Sequence, residues 1–214
     1  MQHALINDNV GAASLGKRFI LSSSYTGGPR FMAKLYQDSM AIVRYFGKPS
    51  LFITFTANPR WTKTQKELLP GQNASDRPDL VARVFDMKVK ALLKDLKTKQ
   101  VFGSYRGLVR TIEYQKRGHP HLHLLLFLDP MQNIDTVEKI DQIISAELPC
   151  KESVPELYEI VTKNMVHGPW GDLNPKSPCM AKDSNGQLQC TKRFPKAFSE
   201  ETVLSENGYP TYKR

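Results

Sequence analysis

The sequence predicts an α+β domain: an antiparallel sheet with helices on one face and a metal site on the other, then a Cys/Pro-rich C-terminal extension. Three observations predict it. Pro120-His121-Leu122-His123 opens an otherwise apolar run, Leu124-Leu125-Leu126-Phe127-Leu128. Side chains alternate faces along a strand, so His121 and His123 share one face while Leu122, Leu124, Leu126 and Leu128 line the other. A second apolar strand, Leu51-Phe52-Ile53-Thr54-Phe55-Thr56-Ala57, is closed by Asn58-Pro59. Between the two, Val81, Phe85, Val89, Leu92 and Leu96 recur at helical spacing and make one apolar stripe.

Taken in order, residues 17–30 read as loop, with Ser22-Ser23-Ser24 and Gly27-Gly28-Pro29. Residues 30–46 read as a helix with Phe31, Leu35, Ile42 and Tyr45 on one side, ended by Gly47-Lys48-Pro49. The strand at 51–57 has an apolar face (Leu51, Ile53, Phe55, Ala57) and a mixed one (Phe52, Thr54, Thr56, Asn58). Residues 70–76 are linker, and a helix runs from about 76 to 99 with Pro78 and Asp79 in its first turn. Arg83, Lys90, Lys94 and Lys97 gather opposite its apolar stripe, either as a phosphate-facing surface or as a solvated helix face. Two strands follow at 107–115 and 120–128, then helices at 134–148 and 155–166. From His167 the chain is rich in Gly, Pro, Cys and Lys and has little periodicity. No internal repeat is visible.

The order strand, long helix, strand, strand, helix is the ferredoxin-like or RRM-like arrangement without a clear last strand. In that topology the first and third strands lie side by side at the sheet centre. Thr54, Thr56 and Asn58 then border the two histidines, and both helices cover the leucine face.

Composition sets limits. A chain of 214 residues with 40% hydrophobic content can bury a core. A net charge of +9 suggests a polyanionic partner such as nucleic acid, although a generic basic protein carries similar charge. Cys150, Cys179 and Cys190 are too few and too scattered for a disulfide framework, which fits a reducing compartment. No apolar run is long enough for a transmembrane helix, and the first residues lack the pattern of a signal peptide. Both ends read as the interior of a longer protein.

A third ligand follows from strand parity. Lys116-Arg117-Gly118-His119 reads as a tight turn after Glu113-Tyr114-Gln115. A three-residue loop sets Glu113 opposite His121, and a five-residue loop sets it opposite His123. Either register leaves Glu113 on the histidine face within cross-strand reach. Gln115 shares that face as the reserve ligand. Two imidazoles and a carboxylate with open positions make a catalytic type of metal site. Mn²⁺ is expected to bind more tightly than Mg²⁺, because imidazole suits it better. Two surface histidines at a strand end are the plain alternative.

These residues resemble the Rep domain of Helitron transposases, members of the HUH endonuclease superfamily. The resemblance runs through Leu35-Tyr36-Gln37-Asp38-Ser39-Met40-Ala41-Ile42-Val43, then the strand at 51–57 continued by Asn58-Pro59-Arg60-Trp61, and Glu113-Tyr114-Gln115-Lys116-Arg117-Gly118-His119-Pro120-His121-Leu122-His123. It extends through Met165-Val166-His167-Gly168-Pro169, Asn174-Pro175, Pro178-Cys179-Met180 and Phe194-Pro195-Lys196. It implies a domain organisation of 1–50 (loop and helix packed on the core), 51–166 (nuclease core) and 167–214 (extension leading to a tyrosine motif). It implies metal-dependent nicking and strand transfer of single-stranded DNA through a 5′-phosphotyrosine intermediate, in rolling-circle transposition. The metal would sit on His121, His123 and Glu113, with Thr54, Thr56, Asn58, Arg60, Trp61, Lys116 and Arg117 against the DNA. The nucleophilic tyrosine is expected downstream of this chain. Tyr209 and Tyr212 are spaced for one helix face, but Pro210 between them argues against a helix.

The family also implies a fused helicase and nuclear action. No Walker A motif is present, because Gly47-Lys48-Pro49-Ser50 lacks the upstream glycine. In the family pattern a cysteine follows His167-Gly168-Pro169. Here that position is Trp170, a substitution compatible with a decayed transposon copy. His167, Cys179 and Cys190 could still form part of a structural Zn²⁺ site, or the cysteines could be free and partly buried. The competing function is a non-catalytic RRM-like module that holds single-stranded nucleic acid by stacking, for which Phe52 and Phe127 are available. A two-histidine phosphoesterase would need a second His-x-Thr or His-x-Ser strand, which the sequence lacks.

Overall fold

Residues 20–115, 118–168, 171–205 and 209–214 are described by a computed structural model. The elements are helix α1 (Pro29–Phe46), strand β1 (Leu51–Thr56), helix α2 (Thr62–Lys66), helix α3 (Pro78–Thr98), strands β2 (Tyr105–Tyr114) and β3 (Pro120–Leu128), and helices α4 (Val137–Ile143) and α5 (Pro155–Asn164). Four short strands follow: β4 (Met180–Lys182), β5 (Leu188–Cys190), β6 (Val203–Leu204) and β7 (Pro210–Thr211). The fold is α+β with antiparallel sheets. It divides into two units, residues 1–133 and 134–214. The boundary drawn in the sequence at 166/167 falls inside the second unit, and residues 1–19 lie outside the described ones.

In the first unit the leucine run organises everything else. The sheet has three strands in the order β1-β3-β2, both pairs antiparallel. The first and third strands are neighbours as expected. β3 is the centre of the sheet, however, and β1 lies at its edge among the described residues. Leu122, Leu124 and Leu126 have no exposed surface and Leu128 is 4% exposed, while His121 and His123 are only half-buried. Each such leucine stabilises the fold by about 1.5–3 kcal/mol relative to an exposed one.

Helix α3 covers this face. Val81, Val84, Phe85, Val89 and Leu96 are its buried positions, and Phe85 stacks on Phe55 of β1 at 5.6 Å. Trp61 also stacks on Phe55, at 5.8 Å. Arg83, Lys90, Lys94 and Lys97 are exposed on the outer side of α3, and Lys90 pairs with Asp86 at 2.7 Å. They lie behind the sheet, opposite the histidines.

Helix α1 spans Pro29–Phe46, but its apolar side differs from the expected one. Tyr45 is 81% exposed and Leu35 45%, and Phe46 makes the packing contact instead. Phe46 meets Phe127 at 5.7 Å between ring centroids. Gly107, paired with Phe127, leaves room for the Phe46 ring, since a Cβ there would lie 2.7 Å from it. Phe127 is thereby buried on the histidine side of the sheet, so it cannot stack a base.

The start of α3 is held electrostatically. Arg77 donates to both carboxylate oxygens of Asp79, at 3.0 and 2.9 Å. That bond lowers the Asp79 pKa from 3.8 to about 2. A carboxylate depressed in the folded state adds stability above its ordinary value and loses it as pH falls through the folded one. Asp79→Asn should therefore flatten the fall of melting temperature between pH 3.8 and about 2. Parallel acid profiles for the two proteins would refute this.

The second unit departs more from the sequence reading. The helix expected at 134–148 is shortened to Val137–Ile143, begun by Thr136, whose Oγ1 accepts from the Lys139 N–H. The extension, with little periodicity in its sequence, holds two small hairpins, β4-β5 and β6-β7. Strands of two or three residues are too short to show an alternating pattern. Pro210 begins β7, in keeping with its exclusion of a helix through Tyr209 and Tyr212.

Candidate metal centre on the open sheet face

The hairpin register decides how the site is assembled. The Gln115 N–H donates to the His119 carbonyl at 3.0 Å, in the register expected for the shorter hairpin loop. Gly118 in this loop has φ +75°. Glu113 then stands opposite His121, and Thr111 opposite His123. The carboxylate nevertheless reaches diagonally, with Glu113 Oε2 3.2 Å from His123 Nε2. Diagonal neighbours on one sheet face are within reach of a long side chain, so the direct register and the diagonal contact coexist.

His121 is held from the other side. Its Nδ1 lies 2.7 Å from the hydroxyl of Thr56, its direct partner on β1. The tautomer that donates from Nδ1 leaves Nε2 with a free lone pair, the form a metal ligand needs. Partial burial lowers the His121 pKa, the neighbouring His123 lowers it further, and Glu113 opposes both. Burial and His123 thus both favour the neutral imidazole. The two rings meet edge to face at 4.5 Å, and Phe52 stacks on His123 at 5.7 Å with its plane nearly parallel. Thr56 and Phe52 act as supports for the histidines, a role that alternation alone does not reveal.

The donors suit a divalent ion chemically, but they are not gathered around one point. His121 turns to Thr56, and Glu113 to His123. Gln115 is exposed at the end of β2. Among the described residues, the group of three ligand types whose donor atoms all lie within 4.8 Å of one another is His167, Cys179 and Cys190.

The expected DNA contacts divide. Thr54 is exposed beside His123, its register partner. The Asn58 side chain accepts from the Arg60 N–H at 2.9 Å and shapes the turn after β1. Arg60 and His119 line a pocket of about 500 Å³ with Gln65, Asn73 and Asp76. Trp61 belongs to the opposite face, where it packs on Phe55 and lies under Lys88 at 4.9 Å. The family resemblance implies a DNA contact there, but Trp61, at the N-cap of α2, is packed against the core through Phe55. Lys116, Arg117 and Trp170 lie outside the described residues.

A family model described as the Helitron helicase-like domain at the N-terminus matches residues 1–126. This chain belongs to that family. No curated protein matches it. Membership ties the Helitron helicase-like domain to a transposon-associated role and fits nucleic-acid binding beside a helicase in the full protein. The match includes Glu113, His121 and His123 and stops before His167.

In the second unit of this Helitron helicase-like domain, the β4-β5 hairpin brings two cysteines together. Met180 pairs with Cys190, and the Thr191 N–H donates to the Cys179 carbonyl at 2.7 Å. His167, stacked on Phe194 at 4.5 Å, sets its Nε2 3.3 Å from Cys190 Sγ. Burial raises the Cys190 pKa. Backbone N–H groups of Phe194 and Lys192, with His167 and Cys179, outweigh it and lower the pKa to about 7. Cys150 is exposed and bonded to Glu152 and Ser153, apart from this group. The cluster can hold a metal ion.

Proposed function

We propose that this domain is the Rep-type HUH endonuclease part of a Helitron rolling-circle transposase, acting on single-stranded DNA. The observation that carries the reading is that His121, His123 and Glu113 share the open sheet face, with Thr56 behind His121, in a chain of the Helitron family. In this reading the sheet is the ferredoxin-like core of the superfamily. His121, His123 and Glu113 hold Mn²⁺ or Mg²⁺, which supplies Lewis-acid polarisation of a phosphate oxygen. Thr56 keeps the His121 lone pair directed outward, and Phe52 limits rotation of the His123 ring. Thr54, Arg60, Lys116 and Arg117 bind the strand. The tyrosine that attacks the phosphate, giving a 5′-phosphotyrosine and a free 3′ hydroxyl, belongs to sequence beyond this chain. The site of action is the nucleus.

Fluorescence anisotropy with a labelled single-stranded oligonucleotide tests this. Mn²⁺ should tighten binding relative to EDTA, and His121→Ala should abolish that increment while leaving metal-free binding intact. Binding indifferent to Mn²⁺ would sink the endonuclease reading. It would favour the second one, an RRM-like module without chemistry, for which Phe52, 63% exposed on the same sheet face, supplies a stacking surface.

A further inference from the structure

The second unit has a conspicuously small core. Among its described residues the buried apolar ones are Ile140 and the two cysteines, Cys179 and Cys190. Thr202 is the buried polar one, bonded to Asp141 at 2.5 Å. So little burial is a weak basis for stability, and small units commonly add a disulfide or a structural metal. The strands β4 and β5 are three residues each, too short to persist as an isolated hairpin.

We propose that His167, Cys179 and Cys190 bind a zinc ion that staples the second unit. The geometry supports this directly. Ligand atoms around tetrahedral zinc lie about 3.5–3.8 Å apart, from bond lengths near 2.0 Å to nitrogen and 2.3 Å to sulfur. Here the three donor atoms lie within 4.8 Å of one another, with His167 Nε2 3.3 Å from Cys190 Sγ. Both thiols are buried and free, and the hairpin that carries them fixes their spacing. Two thiolates and an imidazole select zinc over the hard cations suited to carboxylates and water. The ion would join three points far apart in sequence: the segment after α5, the entry to β4 and the end of β5. The fourth position goes to solvent. Nothing in this proposal depends on the hairpin of the first unit.

The test uses the 214-residue chain, reduced and kept anaerobic, with His121→Ala and His123→Ala so that the first unit contributes no imidazole pair. Co²⁺ should add one equivalent with sulfur-to-cobalt charge-transfer absorption, and Zn²⁺ should displace it. Cys179→Ser or Cys190→Ser should lose that absorption. His167→Cys should keep the site and intensify the absorption, since three thiolates replace two, and this gain guards against variants that merely misfold. Limited proteolysis of the same protein should show Zn²⁺ protecting residues after 134, with EDTA removing that protection. Absence of thiolate absorption, absorption unchanged in a Cys179→Ser/Cys190→Ser double variant, or a Cys179–Cys190 disulfide in place of metal would each overturn the proposal. Failure here leaves the endonuclease reading untouched, because a His/His/Glu site gives no thiolate band.

Discussion

Calorimetric titration of Mn²⁺ into the chain should show one site, and His121→Ala should lose it. His121 is the donor whose orientation is secured from behind by Thr56, at 2.7 Å, and whose neutral form is favoured by partial burial and by His123. Alanine removes the donor itself, so the loss should exceed the effect of disturbing a support. Thr56→Val removes the support alone, and changes to such outer partners weaken metal binding about 10–100-fold, or roughly 1.4–2.7 kcal/mol. The two variants together therefore form a graded series. Thiolates are poor ligands for Mn²⁺, so the cysteine cluster of the second unit should not contribute heat. Equal affinities in wild type and His121→Ala would remove the metal from the hairpin. Equal affinities in wild type and Thr56→Val would remove only the role assigned to Thr56.

The largest stability effect should come from the other side of the same strand. Leu124 has no exposed surface and belongs to the cluster of Val81, Phe85, Val89, Leu96 and Leu122. Leu124→Ala deletes buried methyl groups from the sheet centre, between β1 and β2 and beneath α3, where collapse to fill the void is hindered on every side. Such truncations cost about 2–5 kcal/mol. Urea unfolding followed by Trp61 fluorescence reads this directly, since Trp61 packs on the same core; Trp170→Phe removes the other indole. Leu125→Ala, on the half-buried side of β3, should shift the midpoint much less. Comparable shifts for the two variants would mean that the two faces of β3 are not energetically distinct.

Much of this molecule was legible in residues 120–128. A period of two with leucine at every second position admits one arrangement of faces, and the observed burial follows it from Pro120 to Leu126. It fails at Phe127, which alternation assigns to the open face and which Phe46 buries from α1. Trp61 has no period to place it. The family resemblance sets it against DNA, whereas the turn after β1 delivers the indole to Phe55 on the leucine side. The short strands β4 to β7 carried too few residues to produce any period.

The sequence by itself determined the two faces of β3, the pairing of Glu113 with the histidine face, the apolar stripe of α3 and the family. These are local properties, set by chain geometry and by the spacing of side-chain types along one element. Tertiary structure decided which support each histidine leans on, which aromatic is spent on the core, and that His167 meets Cys179 and Cys190. Those outcomes depend on contacts between residues distant in the chain, whose distances follow from loop closure and sheet twist and leave no periodic trace in the sequence.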